Sequence, residues 1–162
     1  MRGSMTVDAY QILLVEDNPA DVELTLHALK SERLANHIEV ARDGEQALDY
    51  IFCRGAYAGR DFHRPPRLVL LDLKLPKVNG HEVLRAIKSD PRTRAIPVVV
   101  LTSSKDERDL VQSYHLGVNS YIQKPVDFAQ FRETTRHFGL YWLVINQPPP
   151  TSAFAGPEQQ EK

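Results

Sequence analysis

Cysteine is almost absent from this chain. Its 162 residues include one, Cys53. A single thiol excludes an intrachain disulfide framework and fits a reducing, cytoplasmic compartment. An excess of one charge sign is also absent. The formal net charge is −1 and basic residues are scattered rather than striped, so neither direct nucleic-acid binding nor attraction to an anionic membrane is expected. No apolar run approaches the ~18 residues a membrane span requires. No basic start followed by an apolar stretch marks an export signal. The opening MRGS reads as a vector remnant before a natural start at Met5, and residues 1–8 are expected to stay outside the fold. Gly-rich phosphate loops are missing as well: there is no G-x-G-x-x-G and no P-loop. The six histidines (27, 37, 63, 81, 115 and 137) show no metal-ligand spacing. Cys53 has only Arg54 beside it, so a structural role is expected.

What remains is an ordinary globular composition, 42% apolar and 25% charged, on a length that suits one domain with a real core. The pattern alternates strand and helix. QILLVED (11–17) is an apolar run ending in acids. Asn18 and Pro19 then supply an N-cap and a first helical residue for a helix through Lys30, with Val22, Leu24, Leu26, Ala28 and Leu29 as its apolar positions. A short alternating strand (37–42) leads into a helix (43–52), and a loop with two glycines and two prolines (54–67) follows. LVLLD (68–72) is the third strand. Asn79 caps the third helix (80–90), which stops before Pro91. A β-branched strand (96–104) precedes a helix (106–117) closed by Gly117. A short strand (119–125) and a last helix (126–146) complete the unit. Residues 147–162 are proline-rich and polar and predict a disordered tail. The folded domain therefore spans residues 9–146. Five strands alternating with five helices predict an α/β fold, an open, doubly wound parallel sheet with helices on both faces. Such sheets bind ligands at the carboxyl ends of their strands.

Polar residues collect at those ends. The first strand ends in Glu16 and Asp17, the third in Asp72, the fourth in Thr102 and Ser103, and Lys124–Pro125 follows the fifth. Each has a bland explanation: the acids and Thr102 as helix caps, Lys124 as a surface lysine. Their shared edge does not. Three carboxylates in one pocket repel one another, and a hard divalent cation with oxygen ligands, Mg²⁺, removes the conflict. The neutralised Asp72 can then act as a nucleophile toward phosphorus, with Thr102 and Lys124 donating to the transferred oxygens.

These residues carry a family resemblance. The pair Glu16–Asp17, then Asp72 followed by Pro76 and Gly80, then Thr102, then Tyr121 with Lys124–Pro125, resembles the receiver domain of two-component response regulators over residues 10–146. The resemblance implies a flavodoxin-like fold with strand order 2-1-3-4-5. It implies that Asp72 is the phosphoacceptor, that Asp17, Asp72 and the backbone carbonyl of Lys74 bind Mg²⁺ with Glu16 assisting, and that Thr102 and Lys124 hold the phosphoryl group. Tyr121 would follow the state of Thr102, and the Lys124–Pro125 bond would be cis. The donor would be a phosphohistidine on a sensor histidine kinase. The stretches ARDGEQALDYI, LLDLKLPKVNGHEVLRAIKSDP, IPVVVLTSSKDERD and NSYIQKPVDF, with the late YWL, are similar to single-domain regulators of bacterial (cyanobacterial) phytochrome kinases.

An aspartyl-phosphate hydrolase of the dehalogenase type would carry a second Asp two residues after the nucleophile, where this chain has Lys74. An interaction module without phosphorylation would lack part of the acid pocket, which is complete here. A phosphoacceptor is thus expected rather than an enzyme, with self-phosphorylation from small donors and self-dephosphorylation as its only chemistry. The last helix adds a second expectation. Phe128, Phe131, Thr135, Phe138, Trp142 and Ile145 form one stripe for the sheet, but FGLYWLVI is apolar nearly all round. A homodimer through Phe138, Tyr141, Trp142 and Val144 is predicted.

Overall fold

The computed structural model describes residues 11–31 and 37–154. The expected N-terminal remnant and residues 155–162 lie outside the described residues. Strands β1 (Gln11–Val15), β2 (His37–Ala41), β3 (Leu68–Leu71), β4 (Val98–Thr102) and β5 (Ser120–Gln123) form one parallel sheet in the order β2-β1-β3-β4-β5. Helices α1 (Pro19–Ser31), α2 (Gly44–Ile51), α3 (Gly80–Ser89), α4 (Glu107–His115) and α5 (Phe128–Leu140) connect and follow them.

Side chains alternate across the sheet and sort the helices onto its two faces. On β1, Ile12 and Leu14 join Val22 and Leu29 of α1 and Phe131 and Phe138 of α5. Leu13 and Val15 join Ala47, Tyr50 and Ile51 of α2 and Val83, Leu84 and Ile87 of α3. All four β3 residues and all five of β4 are buried, as central parallel strands require. Each helix start is capped by a short polar side chain. Asn18 Oδ1 accepts from the N–H groups of Ala20 and Asp21. Asp43, Asn79, Asp106 and Asp127 cap α2 to α5 in the same way.

Three expectations need correction. First, the last helix does not keep α-helical phase. After Leu140 the chain widens into a π-helical turn, Tyr141–Ile145, closed by the Asn146 N–H on the Tyr141 carbonyl at 2.6 Å. One extra residue per turn moves the inward position from Trp142 to Leu143, which is fully buried, while Ile145 is exposed. Phe128, at the helix start, is exposed too. Phe138 is buried in the core and is unavailable as an interface residue. Second, the tail is ordered as far as it is described. Residues Thr151–Phe154 form a 3₁₀ turn, and Phe154 joins the core cluster on the α2–α3 side. The low mean hydropathy of 147–162 conceals one aromatic anchor. Third, no described peptide bond is cis, Lys124–Pro125 included. The trans form is the lower in energy for X–Pro bonds, and the lysine enters the pocket without the cis form, through the contacts given below.

Candidate functional site

The carboxyl ends of the strands hold the site. Asp72 directly follows β3, and its backbone N–H donates to the Val15 carbonyl, extending the β1–β3 ladder by one step. This places a carboxylate at the rim of a fully apolar strand, and its side chain is nearly buried. The Leu73 N–H donates to Asp72 Oδ1 at 2.7 Å. Gly80 makes room for that peptide: a Cβ there would stand 2.4 Å from the Asp72 carbonyl oxygen and 2.5 Å from Leu73 Cα. The Gly80 N–H also donates to the Leu73 carbonyl at 2.8 Å. The glycine eight residues after Asp72 is thus a packing requirement, since the N-terminus of α3 rests on the backbone that carries the carboxylate.

Glu16, Asp17 and Asp72 each bring a carboxylate oxygen to within 4.8 Å of the others. Glu16 is buried and Asp17 is exposed. Three hard oxygen donors at this separation, one open to solvent, fit a small divalent cation. Lys124 supplies the only lysine contact to these acids among the described residues. Its backbone N–H donates to the Thr102 carbonyl at 2.7 Å. Its ammonium donates to Glu16 Oε1 at 2.6 Å, Asp21 Oδ2 at 2.7 Å and Asp72 Oδ2 at 3.4 Å. Burial raises the Glu16 carboxyl to about 7, against the opposing pull of the Lys124 hydrogen bond. Burial disfavours the charged form of Lys124, but the Asp21 and Glu16 hydrogen bonds and the Asp72 charge outweigh it and hold the ammonium above its ordinary value.

Thr102 is fully buried at the end of β4, and its Oγ1 accepts from the Ser104 N–H at 3.3 Å. Ser104 Oγ donates to Asp109 Oδ2 at 2.6 Å and accepts from the Asp106 N–H, which fixes the β4–α4 turn. The Tyr121 hydroxyl is buried and lies beside the Ser104 side chain. Lys74 is exposed. The fold thus gathers Glu16, Asp17, Asp72, Thr102 and Lys124 at one edge. The last-helix candidates Tyr141, Trp142 and Val144 lie on a separate surface, where Tyr141 and Val144 are exposed and Trp142 is half-buried against the core. Asp21 was not among the expected site residues. Its place in the first turn of α1 suits any acid near a helix N-terminus, so nothing local singles it out. A cavity of about 510 Å³ lined by Gln11, Arg60, Pro97 and Phe154 lies at the opposite edge, away from the acids.

Comparison with known proteins agrees with this geometry. Residues 12–136 match the response regulator receiver domain. The phosphorylated cyanobacterial phytochrome response regulator RcpA superposes with a TM-score of 0.82 at 41% identity, covering 87% of this chain and 99% of that one. Rcp1 of Synechocystis, in its Mn²⁺-bound form, gives a TM-score of 0.81 at 38% identity, covering 87% and 99%. A relative from Methanothrix harundinacea, described as "Probable methanogenesis regulatory protein FilR2", is 47% identical over 142 residues, covering 88% of this chain and 89% of its own length. The fold and the acid edge define a phosphoacceptor class of signalling module. The chain belongs to the response regulator receiver domain family, whose members bind a divalent cation at such an acidic pocket and take a phosphoryl group from histidine kinases. Among the described residues no helix is long and apolar enough to cross a membrane.

Proposed function

We propose that this protein is a signalling switch in which Asp72 is the phosphoacceptor. The observation that carries the reading is the nearly buried Asp72 carboxylate, within ligand reach of Glu16 and Asp17 and faced by the Lys124 ammonium. A carboxylate oxygen of Asp72 forms a bond to the phosphorus of a phosphohistidine on a sensor histidine kinase. The phosphorus–nitrogen bond breaks, and the imidazole leaves with the electron pair and takes up a proton. The product is an acyl phosphate on Asp72.

Glu16, Asp17, Asp72 and the backbone carbonyl of Lys74 would hold Mg²⁺. The bound ion supplies the positive charge that lets a carboxylate meet a phosphoryl group. Lys124 donates to the phosphoryl oxygens from one side and the Thr102 hydroxyl from the other. Thr102 gives up its contact from the Ser104 N–H as it turns, Tyr121 follows into the space released, and the surface around α4 and β5 changes. Mass spectrometry after incubation with Mg²⁺ and acetyl phosphate tests the assignment. One phosphoryl group is expected on the wild type and none on Asp72→Asn or in EDTA; equal labelling of the variant would refute it.

The kinase partner we infer is a cytoplasmic phytochrome, on the similarity to RcpA. The relation to FilR2, described as a methanogenesis regulatory protein, favours a second reading, the same chemistry serving a non-phytochrome kinase. Phosphotransfer from purified kinases of both types separates the two. We also infer a homodimer through the turn after α5. Leu140, Tyr141, Val144 and Ile145 are all exposed there, and apolar side chains exposed together on one turn suit a contact surface. Sedimentation of the wild type and Tyr141→Ala tests it, and a wild-type monomer at tens of micromolar would exclude it.

A further inference from the structure

Four carboxylates stand at this edge, and the phosphoacceptor reading uses three. The fourth, Asp21, makes one of the two shortest contacts to the Lys124 ammonium, across 103 residues of chain, at 2.7 Å. Its backbone is fixed on both sides: the N–H donates to Asn18 Oδ1 at 3.2 Å, and the carbonyl accepts from Thr25 Oγ1 at 2.8 Å. A carboxylate so held on the first turn of α1 is a rigid anchor. The ammonium has three N–H donors. Two are taken at short range by Glu16 and Asp21, and the third approaches Asp72 Oδ2 at 3.4 Å. The lysine therefore leans away from the acceptor carboxylate while aiming one donor at it.

We propose that Asp21 is a positioning residue for the phosphoacceptor site: its carboxylate tethers the Lys124 ammonium and keeps it from closing on Asp72. The inference rests on the reading of Asp72 as phosphoacceptor. A lysine without this tether retains Glu16 and Asp72 as its partners and draws up to Asp72, occupying the oxygen that must meet the incoming group. A long flexible side chain takes its direction from the points that hold it, here Glu16 and Asp21 away from Asp72. Held at two, it presents its third donor where the phosphoryl oxygens arrive. Asp21 stands outside the group of three carboxylates that fit the cation.

The test pairs Asp21→Ala with Asp21→Asn. Both remove the charge, and only the amide keeps an oxygen acceptor at the same place. The first readout is the set of ¹⁵N-lysine ammonium resonances of the unphosphorylated full chain at neutral pH. Two are expected to resist exchange with water: Lys124, and Lys88, whose ammonium is held by the Arg94 and Ile96 carbonyls and Asn119 Oδ1. Lys124→Arg assigns the first. In Asp21→Ala the Lys124 resonance should shift as its ammonium closes on Asp72, while that of Lys88 stays, and in Asp21→Asn it should remain near its wild-type position. The second readout is the rate of labelling by acetyl phosphate, expected to fall on the order of tenfold in Asp21→Ala and by less in Asp21→Asn. An unchanged Lys124 resonance in Asp21→Ala, or identical behaviour of the two variants, overturns the tether. A wild type that takes no label at all refutes the phosphoacceptor reading instead, and the ammonium spectra still decide the tether.

Discussion

Replacing Phe154 with alanine tests whether the proline-rich tail belongs to the fold. Among the described side chains of 147–154 only Phe154 is buried, so it is taken as the anchor of the segment. A phenylalanine enclosed on all sides costs about 3–5 kcal/mol to truncate. Here the loss has a ceiling. Once the anchor is gone the eight residues can peel away and recover their conformational freedom, so the cost cannot exceed the docking free energy of the tail. About 2 kcal/mol is expected, or roughly 4–8 °C in Tm for a domain of this size. The same ceiling makes a second statement: deleting everything after Asn146 should cost the same as Phe154→Ala, to within ~0.5 kcal/mol. Urea unfolding of the three proteins decides it. If Phe154→Ala matches the wild type, the ring is not a core residue. If the deletion costs far more than the point variant, the prolines carry the docking and the single-anchor argument fails.

Other perturbations reach the site and its supports. Gly80→Ala must push its Cβ into the Asp72–Leu73 backbone; a loss of about 2–3 kcal/mol is expected, together with slower labelling of Asp72, and retention of both wild-type values would show that α3 does not rest on that peptide. Lys88→Met leaves the Arg94 and Ile96 carbonyls without their ammonium donor and takes one donor from Asn119 Oδ1, which keeps the Val98 N–H, and it removes an ammonium that burial has pushed down to about 8; a loss of about 2 kcal/mol in urea is expected, and a gain would mean that desolvation outweighs the three hydrogen bonds. Mg²⁺ binding should weaken as pH falls, because the Glu16 carboxyl, raised to about 7, takes up a proton and no longer offers a charge to the cation. Between pH 8 and pH 6 the apparent affinity should drop by about tenfold if Glu16 must be ionised, and a flat calorimetric titration series over that range would show that it need not be.

The legible parts of this protein are those where one local pattern has one physical cause. LVLLD reads as a central strand because a parallel sheet buries both faces, and its closing acid reads as a site because a carboxylate at the rim of such a strand needs a partner. Gly80 was legible as a motif residue, but its reason, the approach of α3 to the Asp72 peptide, exists only in three dimensions. Asn18 and Asn79 announced their helices because a cap is satisfied within three residues of chain.

The misses share the opposite property. Leu143 turns inward only because the backbone widens after Leu140, and no side-chain pattern in YWLVI distinguishes a π-helical turn from a further α-helical one. Phe154 lies in a segment whose average composition is that of a solvated tail, and averaging discards the one ring that decides where it goes. Asp21 is hidden most thoroughly, because a sufficient local reason already accounts for it: an acid in a first helical turn is favoured by the helix dipole whatever else it touches. Its contact with Lys124 has a second cause, 103 residues away. A residue with an adequate local explanation is therefore where a sequence reading stops too early. The fourth carboxylate of this pocket could be recognised only once the fold had brought the lysine to it.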